Sequence, residues 1–263
     1  MRAAELRTYA RVVRIGLLFR VREFTVSRWF LLMAVVQPVI FASIAVYMFK
    51  AGNRPGTLLY AALGAGMMGI WSSTLFGAGG ALQWNRWQGT LELLVASPPP
   101  FIVVLLPLTL ATSVTGAYAL LATLAWGRLF FGVPLHLAHP LAFVPAVLAG
   151  VAALGLLGLL MASSFVLYRH ANALSNLLEY PVWLVTGLLF PLSLLPAWVR
   201  PISWLLAPYW GIAAIRHAAI GGGAVWFPIG MCVALGAAYF ALAAVFLRIF
   251  ERLARARATL SLT

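Results

Sequence analysis

Long apolar runs, each about as long as a bilayer is thick, set the pattern of this chain. A hydrocarbon core of about 30 Å takes about 20 helical residues. The run from Phe30 to Phe49 has that length and is interrupted only by Gln37, Pro38 and Ser43. Similar runs cover Leu58 to Leu82, Phe101 to Trp126, Leu141 to Leu167, Leu177 to Leu195 and Phe227 to Leu247. The pattern predicts an all-α polytopic membrane protein with six transmembrane helices in a single domain, 1–263. A β-barrel would show short alternating segments instead.

Two further elements flank or interrupt the spans. Over residues 1–28, Leu6, Tyr9, Val13, Leu17, Val21 and Phe24 recur at spacings of three and four, opposite Arg7, Arg11, Arg14 and Arg22. This is an amphipathic interfacial helix, although Ile15, Leu18 and Phe19 intrude on its polar side and suggest a second contact surface. Between the fifth and sixth spans, residues 196–224 carry Pro196, Pro201, Pro208 and three consecutive glycines among Trp198, Trp204, Tyr209 and Trp210. So apolar and so broken a segment predicts a re-entrant helical hairpin at the outer face. Arg216 and His217 within it read as interfacial polar residues.

Charge then gives an orientation. With both termini inside, thirteen arginines fall on the inner side, and Lys50, Arg54, Arg128, Arg200 and Arg216 on the outer. This asymmetry satisfies the positive-inside bias of an inner (plasma) membrane protein with cytoplasmic termini and a cytoplasmic tail, 248–263. The N-terminus lacks a short apolar core before a small-residue cleavage site, so the first span is expected to stay in the mature protein.

Composition removes several function classes. Hydrophobic residues make up 63% of the 263 and charged residues 9%, against about 25% charged in a soluble domain. The net charge of +13 suits an anionic membrane face, and the hydrophobicity argues against nucleic acid. The sequence has no Asp and one cysteine, Cys232, which excludes aspartyl-phosphate chemistry, an intrachain disulfide and a multi-cysteine zinc site. His136 and His139 lack a carboxylate to complete a metal set, so no metal is expected. No Gly-rich loop ends in Gly-Lys-Ser/Thr, and the lone Lys50 is followed by Ala51. The chain itself is therefore expected to bind no ATP.

Within the spans, Gly64, Gly66, Gly69, Gly77, Gly79 and Gly80 predict a tight helix contact. Thr109, Thr112 and Ser113 form a stripe expected to bond to its own helix. Glu179 is the one acid at a span, with Arg169 nearby as an ion-pair partner. The loop QWNRWQGTLELLVASPPP, 83–100, predicts a short surface helix stopped at Ser97-Pro98, with Thr90 as a cap and Glu92 in its first turn.

Gly89-Thr90-Leu91-Glu92-Leu93-Leu94 followed by Ser97-Pro98 resembles the pattern of ABC-2-type permeases, the membrane subunits of ATP-binding-cassette exporters of the daunorubicin-resistance and nodulation type. Gly187, Phe190 and Pro191, then Leu195-Pro196 and Pro208-Tyr209, follow in the family's order. The resemblance implies a coupling helix, 83–98, in which Arg86, Gly89, Thr90, Leu91, Glu92 and Leu94 meet a nucleotide-binding subunit that holds ATP and Mg. It implies a second permease copy, identical or paralogous. It also implies a path lined by the second and fifth spans, for which Met68, Ser72, Thr186 and Phe190 are the candidate residues. The expected function is export of a hydrophobic or amphipathic cargo such as a drug, lipid or lipid-linked glycan. The alternative is a proton-coupled transporter using Glu179.

Overall fold

The structure is a computed structural model that describes residues 3–51, 58–89, 93–94, 97–165, 171–189 and 191–257. Its elements run α1 (Ala3–Val26), α2 (Arg28–Ala51), α3 (Leu58–Trp87), α4 (Phe101–Phe131), α5 (Pro140–Phe165), α6 (Ala171–Val185), α7 (Val199–Trp204), α8 (Ala207–Ile220) and α9 (Trp226–Arg257). A short 3-10 turn, Leu192–Leu194, precedes α7. The described residues hold no strand, as expected where lipid offers no partner to backbone N–H and C=O groups.

Among the described residues, four segments are long and apolar enough to cross a membrane: Leu58–Ala78, Phe101–Phe131, Pro140–Ser164 and Trp226–Arg252, with a shorter apolar stretch at Val35–Phe49. The predicted fifth span ends ten residues early. Helix α6 has 15 residues, a rise of about 22 Å, and stops where Gly187 takes φ 72°. A continuous Leu177–Leu195 span is thus replaced by a helix, a turn and the 3-10 segment. The sixth run continues the other way: α9 stays helical to Arg257, so most of the predicted tail is helix.

Helix α3 is the centre of the bundle. Leu63, Met67, Ile70, Trp71 and Leu75 are fully enclosed, and α4, α2, α5, α6 and α8 all pack on it. Its glycines make this possible. A Cβ on Gly66 would meet Leu120, one on Gly69 would meet Ala119 and Pro38, and one on Gly77 would lie 2.3 Å from Thr112. The Thr109 stripe faces this seam. Thr109, Thr112 and Ser113 are buried and donate to carbonyls of their own helix, and the hydroxyls of Ser113 and Thr74 lie 2.8 Å apart.

Helix α1 lies along α4 with Gly16 against Pro107. Tyr9, Val13, Leu17, Val21 and Phe24 are half-buried, and Arg7, Arg11, Arg14 and Arg22 face outward. Ile15, Leu18 and Phe19 are exposed, which leaves the predicted second surface open within one protomer.

A Cβ on Gly64 would stand 2.2 Å from the Leu188 carbonyl oxygen, whereas one on Gly230 meets nothing within 4 Å. Gly64→Ala is expected to destabilise the chain by about 1–3 kcal/mol, lowering the melting temperature in detergent. Gly230→Ala, a helix-favouring change, is expected to hold or raise it. Equal melting temperatures for the two variants would refute the close α3 packing.

Candidate functional site

Of the loop after α3, Gln88 and Gly89, Leu93 and Leu94, and 97–100 are described. Arg86 lies in the last turn of α3, and Gly89 follows with φ 68° in open space, a left-handed turn that glycine adopts without strain. Leu93 and Leu94 are helical and point differently. Leu93 is 71% exposed, whereas Leu94 packs on the buried cluster of Phe101, Leu105, Leu247 and Phe250. The Ser97 hydroxyl donates to Leu94 O at 2.6 Å, which closes the turn before the prolines. Thr90, Leu91 and Glu92 lie outside the described residues. Of the two leucines offered as contacts for a partner, Leu91 lies outside the described residues and Leu94 packs on the protein's own core, while Leu93, which the sequence did not single out, is the one displayed. Sequence spacing did not separate Leu93 from Leu94, because one residue of helix rotates a side chain by about 100°.

Helix α9 anchors the start of α4. The Phe101 N–H donates to Glu251 Oε1 at 2.5 Å, and the Phe101 and Phe250 rings lie 6.0 Å apart. A carboxylate on a free N-terminal N–H both satisfies that donor and suits the helix dipole. Sequence position put Glu251 in the cytoplasmic tail, 248–263, and gave no sign of this contact.

A second group of predicted residues meets inside the bundle. The Ser72 hydroxyl donates to Glu179 Oε1 at 2.6 Å, and both side chains are buried. Trp71 Nε1, Trp183 Nε1 and Ser175 Oγ are buried without a hydrogen-bond partner among the described residues. Arg169, the expected partner of Glu179, lies outside the described residues, as does Phe190. Met68 is packed in the core. Thr186 is buried and its hydroxyl donates to Val182 O at 2.5 Å.

Arg216 overturns its reading as an interfacial residue, being only 8% exposed. Its Nη1 donates to Gly187 O at 2.8 Å and its Nη2 to Leu188 O at 2.9 Å and Tyr60 O at 3.4 Å. The guanidinium carbon sits 3.3 Å from the centre of the Tyr60 ring, a cation–π contact. The break after α6 exposes the carbonyls at Gly187 and Leu188, and Arg216 from α8 satisfies them. The partners are backbone atoms, so residue identity gave no signal for this junction.

The family model of the ABC-2 type transporter matches residues 16–220. This is most of the chain, from the middle of α1 to the end of α8. The chain belongs to the ABC-2 type transporter family. It is thus a multi-pass membrane component of an ABC-type transporter, and this family implies partnership with an ABC ATPase subunit and often dimerisation. Among curated proteins none matches this chain. The family match ends before α9, so the clamp of Glu251 on this permease's α4 lies outside it.

Glu251→Ala is expected to destabilise the inner end of α4 by about 1.5–3 kcal/mol, as for a hydrogen bond to a charged group. Amide exchange at Phe101 and Ile102 should accelerate while that of α8 is unchanged. Unchanged exchange at Phe101 would remove the clamp.

Proposed function

We propose that this ABC-2 permease is the membrane subunit of an exporter that moves a hydrophobic or amphipathic cargo, such as a drug, lipid or lipid-linked glycan, across the inner membrane. ATP, with Mg, is hydrolysed by a separate nucleotide-binding subunit. Two permease copies, identical or paralogous, form the pathway, with both termini cytoplasmic. The observation that carries this reading is the segment after Gly89, with Leu93 displayed and Leu94 packed against the core.

A rigid projection transmits force better than a mobile one. The loop joins α3 directly to α4, and Glu251 holds the start of α4 against α9. A docked ATPase subunit that shifts this loop therefore tilts α3 and α4 together. Packed interfaces move between discrete arrangements and do not deform smoothly, which favours a rigid-body switch. In this reading Arg86, Thr90, Leu91 and Glu92 complete the docking surface, and Met68, Ser72 and Thr186, buried within the single chain, line the path with Phe190 only in a state in which the helices of the bundle have parted. The arginine asymmetry supports the orientation, and a lining without charged side chains suits the cargo class.

The test is purification of the chain from its native membrane in mild detergent, with ATPase activity measured in the preparation. Wild type is expected to bring down an ATPase. Leu93→Arg is expected to lose it without a change in melting temperature, whereas Leu94→Arg should lower the melting temperature itself. If folded wild type brings down no ATPase after gentle cross-linking, the exporter reading fails, and transport driven by a proton gradient through Glu179 takes its place.

A further inference from the structure

Arg216 carries more charge than its surroundings neutralise. The sequence has five acids, and none of them pairs with it among the described residues. Glu5 and Glu23 lie on α1, Glu179 accepts from Ser72, Glu251 accepts from Phe101, and Glu92 lies outside the described residues. Three carbonyls and the Tyr60 ring offset part of the charge. The buried Nε, however, has no acceptor among the described residues. A buried cation of this kind calls for a counter-anion, since an unpaired charge in a low-dielectric interior is costly.

The guanidinium also borders a cavity. A space of about 290 Å³ is lined by Thr186, Tyr209, Ala213, Arg216 and His217, and its rim includes Gly222, which is exposed. That volume is near the low end for small-molecule pockets, which suits a head group and not a whole amphiphile. Tyr209 adds a phenol and His217 an imidazole to a wall that holds no carboxylate among the described residues.

We propose that the Arg216 cavity binds an oxyanion, a phosphate or carboxylate borne by an amphiphile or free in solution. The second Nη1 N–H, beside the one given to Gly187, supplies it a charge-assisted hydrogen bond, while Nε stays sealed in the protein and Nη2 stays on the carbonyls of the helix break. Occupancy neutralises Arg216 and ties the ligand to the junction of α3, α6 and α8. The site lies at the opposite end of α3 from the Gly89 loop and does not rest on the exporter reading. Loss of a co-purifying ATPase and loss of anion binding are separate failures.

The experiment is native mass spectrometry of the full chain, delipidated in detergent and offered dioleoyl phosphatidic acid, dioleoyl phosphatidylcholine or inorganic phosphate. Wild type is expected to retain one equivalent of phosphatidic acid about tenfold better than phosphatidylcholine. Arg216→Gln keeps donors for the carbonyls but removes the charge, and should abolish that preference. Ala213→Phe fills the cavity without touching the bonds of Arg216, and should abolish it too, so the test survives if Arg216→Gln does not fold. Phosphatidic acid held against excess phosphate assigns the site to a head group, and displacement by phosphate assigns it to a free anion. Absence of the preference in wild type, or its survival in folded Ala213→Phe, overturns the proposal.

Discussion

A helix enclosed on every side can pack only where its neighbours approach its backbone closely, and α3 meets that constraint with glycine. In lipid there is no water to expel between helices, so association depends on close contact of small residues and on hydrogen bonds. Gly66, Gly69 and Gly77 place the α3 backbone against α4, Gly69 against Pro38 of α2 as well, and Gly64 places it against the Leu188 carbonyl. The hydroxyls on α4 fit the same seam because they bond back to their own helix and leave no unpaired group there.

The break after α6 follows from the same accounting. Ending a helix inside an apolar protein frees carbonyls that need donors. Arg216 supplies two donors to Gly187 and Leu188 and packs its plane on Tyr60. Gly64 lets the Leu188 carbonyl lie against α3 at that point. The close α3 packing and the broken α6 therefore depend on one another.

The two ends of α3 differ in kind. One runs into an exposed turn at Gly89 and then a loop fixed to α4 and α9; the other meets the buried junction around Arg216. In the exporter reading, the first end receives the motion of the ATPase, and the second sits beside the cavity where an anion is proposed to bind. A single stiff helix joining the two is a physical route for coupling them.

The apolar runs were legible in sequence because a membrane helix must be apolar along nearly its whole length, so hydropathy alone marks it. The amphipathic face of α1 and the small-residue seam of α3 were legible for similar reasons: period and side-chain size are local properties. The family was legible from a short ordered motif around Gly89, although the left-handed turn at Gly89 itself was not read from it. Tertiary structure alone decided the rest. Whether Leu93 or Leu94 faces outward depends on where α4 lies. The contact of Glu251 with Phe101 joins residues 150 positions apart. Arg216 read as an interfacial charge because its partners are main-chain carbonyls, which every residue carries and no sequence pattern distinguishes.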